Sequence, residues 1–403
     1  MTSKKTLMIL QAGQSQIRII KTAKKMGLRV IATDRDKNAP GFKVADVGES
    51  VDVMDKEGTL KLAEKYEING ILPGGDVSLP TAAYVAEKMG LVGLTPKQAE
   101  IVTNKELYYE IFRKNNIPYP IAGIVKDLEE CYRLSRDIGF PVIIKPTTSF
   151  GGSRGVKRIN NISEVEEAFI FAKDASKNGR VMIEKFLEGE EHTIESIVHD
   201  GKNHVLAISD KERIKESYCL ATSLNYPSQL PEETIRKIKD IAQRVADVVG
   251  LKNWITHIEV ITYNGEIKVI DFGARGGGAG YIPTVIVPNV CGVNMMEEFI
   301  RILLGKRPQN IQEKFKRGII YRFFTPLPGK VIDIKGIEEV KAMEDVIDFH
   351  LYVKKGDIIP PLRTQLDRPG YLVVKGKSFD DAMNKAKQVE NTIKIITEPV
   401  GED

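Results

Sequence analysis

The segment PVIIKPTTSFGGSRGVKRI, residues 141–159, limits the folds open to this chain more than any other stretch. Its apolar run Val142-Ile143-Ile144 ends in Lys145, a loop of Thr, Ser and Gly follows at once, and a second apolar and basic run begins at Val156. A lysine beside a glycine loop points to phosphate. A P-loop, however, puts its glycines first, then the lysine, and then opens a helix. Here the lysine closes a strand and the loop leads into another strand, so the chain needs a fold that grips phosphate with the parts in that order.

The surrounding pattern is mixed α/β. TLMILQAG reads as a buried strand, QIRIIKTAKKMG as a helix stopped by Gly27, LRVIATD as a strand ending at Asp34, and TLKLAEKYE with INGILPGG repeats the unit. Such alternation predicts a parallel sheet covered by helices, over residues 1–120. Thr95, Pro96 and Gln98 have the form of a capping box, and Pro118 and Pro120 mark an extended linker. A small lobe is expected over 121–190, with a helix near 127–138, the lysine strand and its loop, a helix with Ser163 and Glu166 as capping box, and the strand RVMIEKFL. A larger lobe is expected over 191–316. It holds the long helix PEETIRKIKDIAQRVADVVG, with its stripe of Ile235, Ile238, Ile241, Val245 and Val248 and its stop at Gly250, and the strands WITHIEVITY and EIKVIDFG joined by Asn264-Gly265, a hairpin signal. Residues 317–403 read as a small α+β lobe with a helix capped at Ser378.

Bulk properties remove several function classes. With 403 residues the chain exceeds one core. Lys and Arg number 59 against 55 Asp and Glu, and no basic block is interleaved with aromatics, so a nucleic-acid surface is not expected. Cys131, Cys219 and Cys291 lie far apart without metal-type spacing. The short apolar run Leu7–Leu10 is no signal peptide and no stretch reaches the length of a membrane span. The expectation is a cytoplasmic enzyme that binds no nucleic acid and no membrane.

The chemistry-bearing residues fall into three groups: Lys105 and Lys145; Glu184 and Glu191 in VMIEKFLEGEEHTIE; and Glu259, Asp271 and Arg275 on and after the hairpin. Side chains two apart on a strand share a face, so His257 and Glu259 point the same way, and the turn folds Asp271 back opposite them. Two facing carboxylates are costly unless a cation lies between them. Oxygen donors without thiols favour Mg²⁺ or Mn²⁺, shared with a phosphate chain. Each group also has a plain structural reading: a strand-edge lysine, surface acids, or a cross-strand ion pair with Arg275 before a flexible glycine loop.

The joint order of these groups resembles the ATP-grasp superfamily, over nearly the whole chain. The resemblance implies a Rossmann-like pre-ATP-grasp domain, two α+β lobes that close on ATP, and a carboxy-terminal lobe. It implies that Lys105 and Lys145 bind the phosphates, and that Ser149, Gly151, Gly152 and Ser153 belong to a loop covering them. Glu184 with the backbone of Lys185, Phe186 and Leu187 would face adenine, and Glu191, or less so His192, the ribose. Glu259 and Asp271 would hold the metal and Arg275 the transferred phosphoryl group or a substrate carboxylate. The family more often has Glu at Asp271 and Asn at Gly273, which leaves the number of metal ions open. LPGKVIDIKGIEEV, VKKGDIIPPL and RPGYLVVKGKSFDDAM look like the amino-acid ligase branch. The implied reaction is ATP-dependent joining of a carboxylate and an amine through an acyl phosphate, by an enzyme that is commonly a homodimer. Arg213, Lys215, Tyr218, Arg275 and Gly277 are the substrate-side candidates, although DKERIKESYCLA reads equally as a solvated loop.

A phosphoribosylglycinamide synthetase-like purine enzyme is the alternative within the superfamily, and a biotin-carboxylase-like activity is a weaker one. From another class, residues 7–34 have the strand–Gly–helix–strand–Asp form of an NAD-dependent oxidoreductase, with Asp34 at the ribose position; Gln-Ser-Gln-Ile after Gly13 supplies none of the further glycines. A non-catalytic nucleotide-binding regulator would have no use for Glu259 and Asp271.

Overall fold

The computed structural model describes residues 4–148, 151–214, 218–312 and 314–400. The expected mixed α/β architecture is present. Thr6–Leu10, Arg29–Asp34, Val47–Ser50 and Gly70–Pro73 form a parallel sheet in which Thr6–Leu10 lies between Arg29–Asp34 and Gly70–Pro73. Alternation along the central strand sends Leu7 and Ile9 into the largest core and Met8 and Leu10 into a second core on the other face. Val47–Ser50, half exposed and only four residues long, carried too little apolar pattern to be expected.

The small lobe is an antiparallel sheet of Ala122–Val125, Val181–Lys185, Val142–Pro146 and Lys157–Ile159 in that order. Its helices Leu128–Ile138 and Val165–Ala175 cover one face, where Val142 and Ile144 are buried. Ile143 and Lys145 therefore face the opposite way. The second helix is preceded by a short turn capped by Asn161, whose side chain accepts from the Ser163 amide. The capping box expected at Ser163 is not formed, because Asn161 reaches the free amides first. The box at Thr95 with Gln98 and the cap at Ser378 are formed as expected.

An eight-stranded antiparallel sheet runs Glu266–Gly273, Trp254–Tyr263, Glu190–His199, Lys202–Arg213, Ala221–Tyr226, Gly318–Phe323, Gly370–Gly376, Val346–Leu351. Three strands from the carboxy-terminal region thus extend the sheet of the larger lobe without a break. The helix Glu232–Val249 stops at Gly250, which is left-handed at φ 74°. Asn264 and Gly265 are both at positive φ, 50° and 78°, the conformation a two-residue turn of matching twist needs. Leu7 and Ile9 share one core with Trp254, Ile258 and Phe299, so the parallel sheet is packed on the large lobe, whereas the small lobe keeps its own core. Among the described residues no helix is long and apolar enough to cross a membrane.

Candidate active site

The small-lobe sheet, the large sheet and the amino-terminal domain surround a cleft of about 530 Å³. Lys105, Lys145, Gly151, Gly152, Ser153, Glu184, Lys185, Phe186, Leu187, Glu191, Arg213, Glu259, Asp271 and Arg275 all line it. The structure thus brings residues from separate stretches of the chain together in one cleft. Ser149 and Lys215 lie outside the described residues.

The cleft is a chain of matched charges. Lys145 Nζ is 2.7 Å from Glu184 Oε2 and donates to the Ile270 carbonyl at 3.2 Å, while the Tyr109 hydroxyl donates to the same glutamate at 3.1 Å. Lys105, the first residue of the helix Lys105–Lys114, meets Asp271, and the Tyr108 hydroxyl donates to that carboxylate at 2.9 Å. Lys211 lies between Glu191 at 2.8 Å and Glu259 at 2.7 Å. Arg213 also pairs with Glu191, and its guanidinium lies 4.7 Å from the Phe186 ring centre.

Hairpin register places Glu259 directly opposite Asp271 and His257 opposite Gly273. His257 bonds Glu195 through Nδ1 and lies 3.4 Å from Glu259 through Nε2. Burial alone would lower this imidazole; the two glutamates overcome it and raise its pKa to about 9. Burial likewise opposes ionisation of Glu259, yet Lys211 and His257 hold it well below the usual carboxylate range. For Asp271, burial and the repulsion from Glu259 oppose ionisation, and Lys105 together with Lys145 still holds the carboxyl below the usual range.

Among the described residues no three His, Cys, Asp or Glu side chains are grouped to hold a metal by themselves. Glu259 and Asp271 do offer two hard oxygen donors across one register pair. That donor set fits a cation that takes the rest of its shell from a phosphate chain and water, as Mg²⁺ does. Each carboxylate would then exchange a lysine for the ion.

Some expectations are relocated. Arg275 Nε donates to Asp76 at 2.9 Å, a tie from the amino-terminal domain, and this pairing keeps its guanidinium charged despite burial. The amides of Lys185 and Phe186 donate to the carbonyls of Ile121 and Pro141, so they hold the hinge in place and are not free for a base. His192 faces away from Glu191 on the same strand; it is buried against Asp210 at 3.0 Å and does not line the cleft. Tyr218 packs edge-on against Phe171 and lies outside the cleft lining, as does Gly277, whose amide donates to Glu195 at 3.3 Å. Asp34 accepts from the amides of Ala12 and Asp36, a structural duty that occupies the acid an oxidoreductase would need.

Sequence reasoning missed Asp76, Lys211, and the Glu195–His257 pair. Lys211 sits in DKER, which reads as solvent-exposed; it lies in the strand Lys202–Arg213, and alternation turns Lys211 and Arg213 into the cleft while Asp210 points away to His192. That two-residue spacing was the available signal. The loop is also tied from the far end of the chain, where the Gln365 amide donates to the Gly152 carbonyl at 3.1 Å and its side chain to Ser153 Oγ at 3.4 Å.

Comparisons with known proteins show what the chain is similar to. A family described as the ATP-grasp domain matches residues 138–283, L-amino acid ligase C-terminal domain 2 matches 322–398, and a PylC-like N-terminal domain matches 7–96. The solved structure of an L-amino acid ligase from Bacillus licheniformis superposes with a TM-score of 0.85 over 99% of this chain and 100% of that one, at 22% identity. A phosphoribosylglycinamide synthetase from Anaerococcus prevotii gives 0.76 over 98% and 100%, at 21% identity. In sequence, the formate-dependent phosphoribosylglycinamide formyltransferase of Wolinella succinogenes is 24% identical over 97% of each chain. Other relatives are longer: the chain spans 22% of the urea amidolyase of Saccharomyces cerevisiae and 31% of the carbamoyl phosphate synthase large chain of Archaeoglobus fulgidus.

Proposed function

We propose that this chain, whose residues 138–283 match the ATP-grasp domain, is an ATP-dependent ligase of that superfamily and joins the carboxylate of one amino-acid-like substrate to the amine of another, with release of ADP and phosphate. The observation that carries the reading is the convergence of Lys105, Lys145, Glu259, Asp271 and Arg275 on one cleft beneath a glycine loop.

In this reading the nucleotide lies between the lobes, its base against Phe186 and Leu187 and its ribose hydroxyls at Glu191. Lys145 and Lys105 release Glu184 and Asp271 to meet phosphate oxygens, so the negative tail enters a site where cations are already positioned and little reorganisation is needed. Glu259 and Asp271 would hold Mg²⁺, which when bound would supply further charge neutralisation on the phosphates. The substrate carboxylate oxygen attacks the γ-phosphorus, the bond to the β–γ bridging oxygen breaks, and ADP leaves with that oxygen. Arg275, held by Asp76, orients the resulting acyl phosphate. Attack by the amine on the acyl carbon expels phosphate and forms the amide, and loss of the amine proton completes the exchange. The loop residues 151–155 exclude water, which would otherwise hydrolyse the mixed anhydride.

The test is phosphate release with ATP and Mg²⁺ over pairs of amino acids, with phosphoribosylamine plus glycine as a separate arm. Release that requires both an amino-acid carboxylate and an amine supports the reading. Release only with phosphoribosylamine and glycine moves the protein to the purine-type alternative, and ADP formation that no substrate pair stimulates refutes ligation.

A further inference from the structure

We infer that Arg368, set against the aromatic wall of Tyr321, Phe323 and Tyr371, forms the end of the cleft that holds the carboxylate of the amine-bearing substrate, which makes that substrate a free amino acid. This deepens the ligase reading and rests on it for the word substrate; the subsite itself stands on the geometry below.

Lys105, Lys145, Lys211, Arg213 and Arg275 each have a carboxylate within the cleft. Arg368 differs. It lines the same cleft and is only 9% exposed, yet among the described residues its one hydrogen bond is from Nη2 to the Ala221 carbonyl at 2.7 Å. Its guanidinium carbon lies 3.7 Å from the centre of the Phe323 ring. Burial pushes its pKa down to about 10, relieved only by neighbouring tyrosines, so it remains a cation at neutral pH. The nearby acid, Asp348, is committed elsewhere: Arg18 meets it at 2.6 Å and the Tyr281 and Tyr371 hydroxyls donate to it at 2.7 and 3.2 Å. A buried guanidinium without an anion is costly, and its planar fork matches a carboxylate.

The wall links this cation to the loop that follows Arg275. Tyr321 packs on Phe323 at 4.5 Å and on Tyr371 at 5.5 Å between ring centres. Tyr281, which closes the loop that starts at Arg275, packs on Tyr321 at 5.1 Å and Tyr371 at 5.2 Å. The surface offered next to Arg368 is therefore apolar and aromatic, suited to an amino acid with an apolar side chain.

The test is equilibrium binding of L-leucine, L-phenylalanine and L-alanine, each as free acid and as carboxamide, to protein loaded with ADP and Mg²⁺. Wild-type protein is expected to bind at least one acid about 10- to 100-fold more tightly than its amide, the range of a charge-assisted pair. Arg368→Gln abolishes that preference, Arg368→Lys keeps part of it, and unchanged ADP affinity shows that both variants are folded. Equal binding of acid and amide, a preference that survives Arg368→Gln, or no amino-acid binding at all overturns the assignment. So does tight binding of ribose 5-phosphate that Arg368→Gln removes, which would make the anion a phosphate. Failure of ligation with a preserved acid preference would sink the activity and leave the subsite standing.

Discussion

Lys145→Met separates the structural work of Lys145 from its chemistry. The methionine fills the space but removes the cation 2.7 Å from Glu184. Both side chains are nine-tenths or more buried, and Glu184 would keep only the Tyr109 hydroxyl at 3.1 Å. Removing one partner of a buried pair costs about 3–5 kcal/mol, and the surviving hydrogen bond sets this case near ~3 kcal/mol. The double variant Lys145→Met with Glu184→Gln takes away the stranded charge and should recover about 2 kcal/mol of that loss. Turnover should not follow stability. Both variants lack the ammonium, so ADP formation falls at least ~100-fold in each, the scale on which loss of one positioned charge on a developing oxyanion is felt. Urea unfolding followed by fluorescence, beside a coupled ADP assay, reads the two effects separately. The reasoning fails if the single variant is as stable as wild type, or if the double variant regains activity together with stability.

Further outcomes are expected elsewhere in the cleft. A Cβ at Gly277 would come within 2.5 Å of Glu195 Oε1 and 2.8 Å of His257 Nδ1, so Gly277→Ala should lose about 1–3 kcal/mol and most ADP formation. Gly201→Ala, left-handed but with nothing within 4 Å, should lose about 1 kcal/mol and no activity; equal behaviour of the two would contradict the crowding argument. Gln365→Ala removes the side-chain bond to Ser153 and should raise ATP hydrolysis unaccompanied by amide formation by about 2- to 10-fold, read as the phosphate-to-product ratio. Burial, with Glu191 adding to it, pushes the Cys219 thiol up to about 11. Its thiolate is scarce at neutral pH and grows about tenfold per pH unit, so iodoacetamide labelling of Cys219 should rise about 100-fold from pH 7 to 9 and be suppressed by ATP with Mg²⁺. A flat profile by peptide mass spectrometry would show that Cys219 does not occupy the half-buried position beside Glu191.

Local rules carried the sequence reading a long way. The Asn264-Gly265 turn sets the hairpin register as far as Val260 opposite Val269, because a two-residue turn leaves one pairing; a bulge between Glu259 and Val260, which no local signal announced, then moves Glu259 from Ile270 to Asp271. Caps at Thr95 and Ser378 and the stop at Gly250 depend only on residues within four positions. The same logic failed at Ser163, where a neighbour competed for the same amides, and at Val47–Ser50, which is too short to show a period.

The kinds of chemistry present, and their order along the chain, were thus set by the sequence by itself: a lysine before a glycine loop, paired acids on a hairpin, and an arginine just after it. Their partners were decided only by the tertiary structure. Asp76 and Arg275 are 199 residues apart, Arg368 and the carbonyl of Ala221 are 147 apart, and Lys211 reads as a surface charge until neighbouring strands place Glu191 and Glu259 on either side of it. A side chain's own neighbours in sequence specify its face and its local bonds. Which charge it meets across a cleft depends on the order of strands in a sheet and the packing of one sheet on another, and those are properties of the whole buried core.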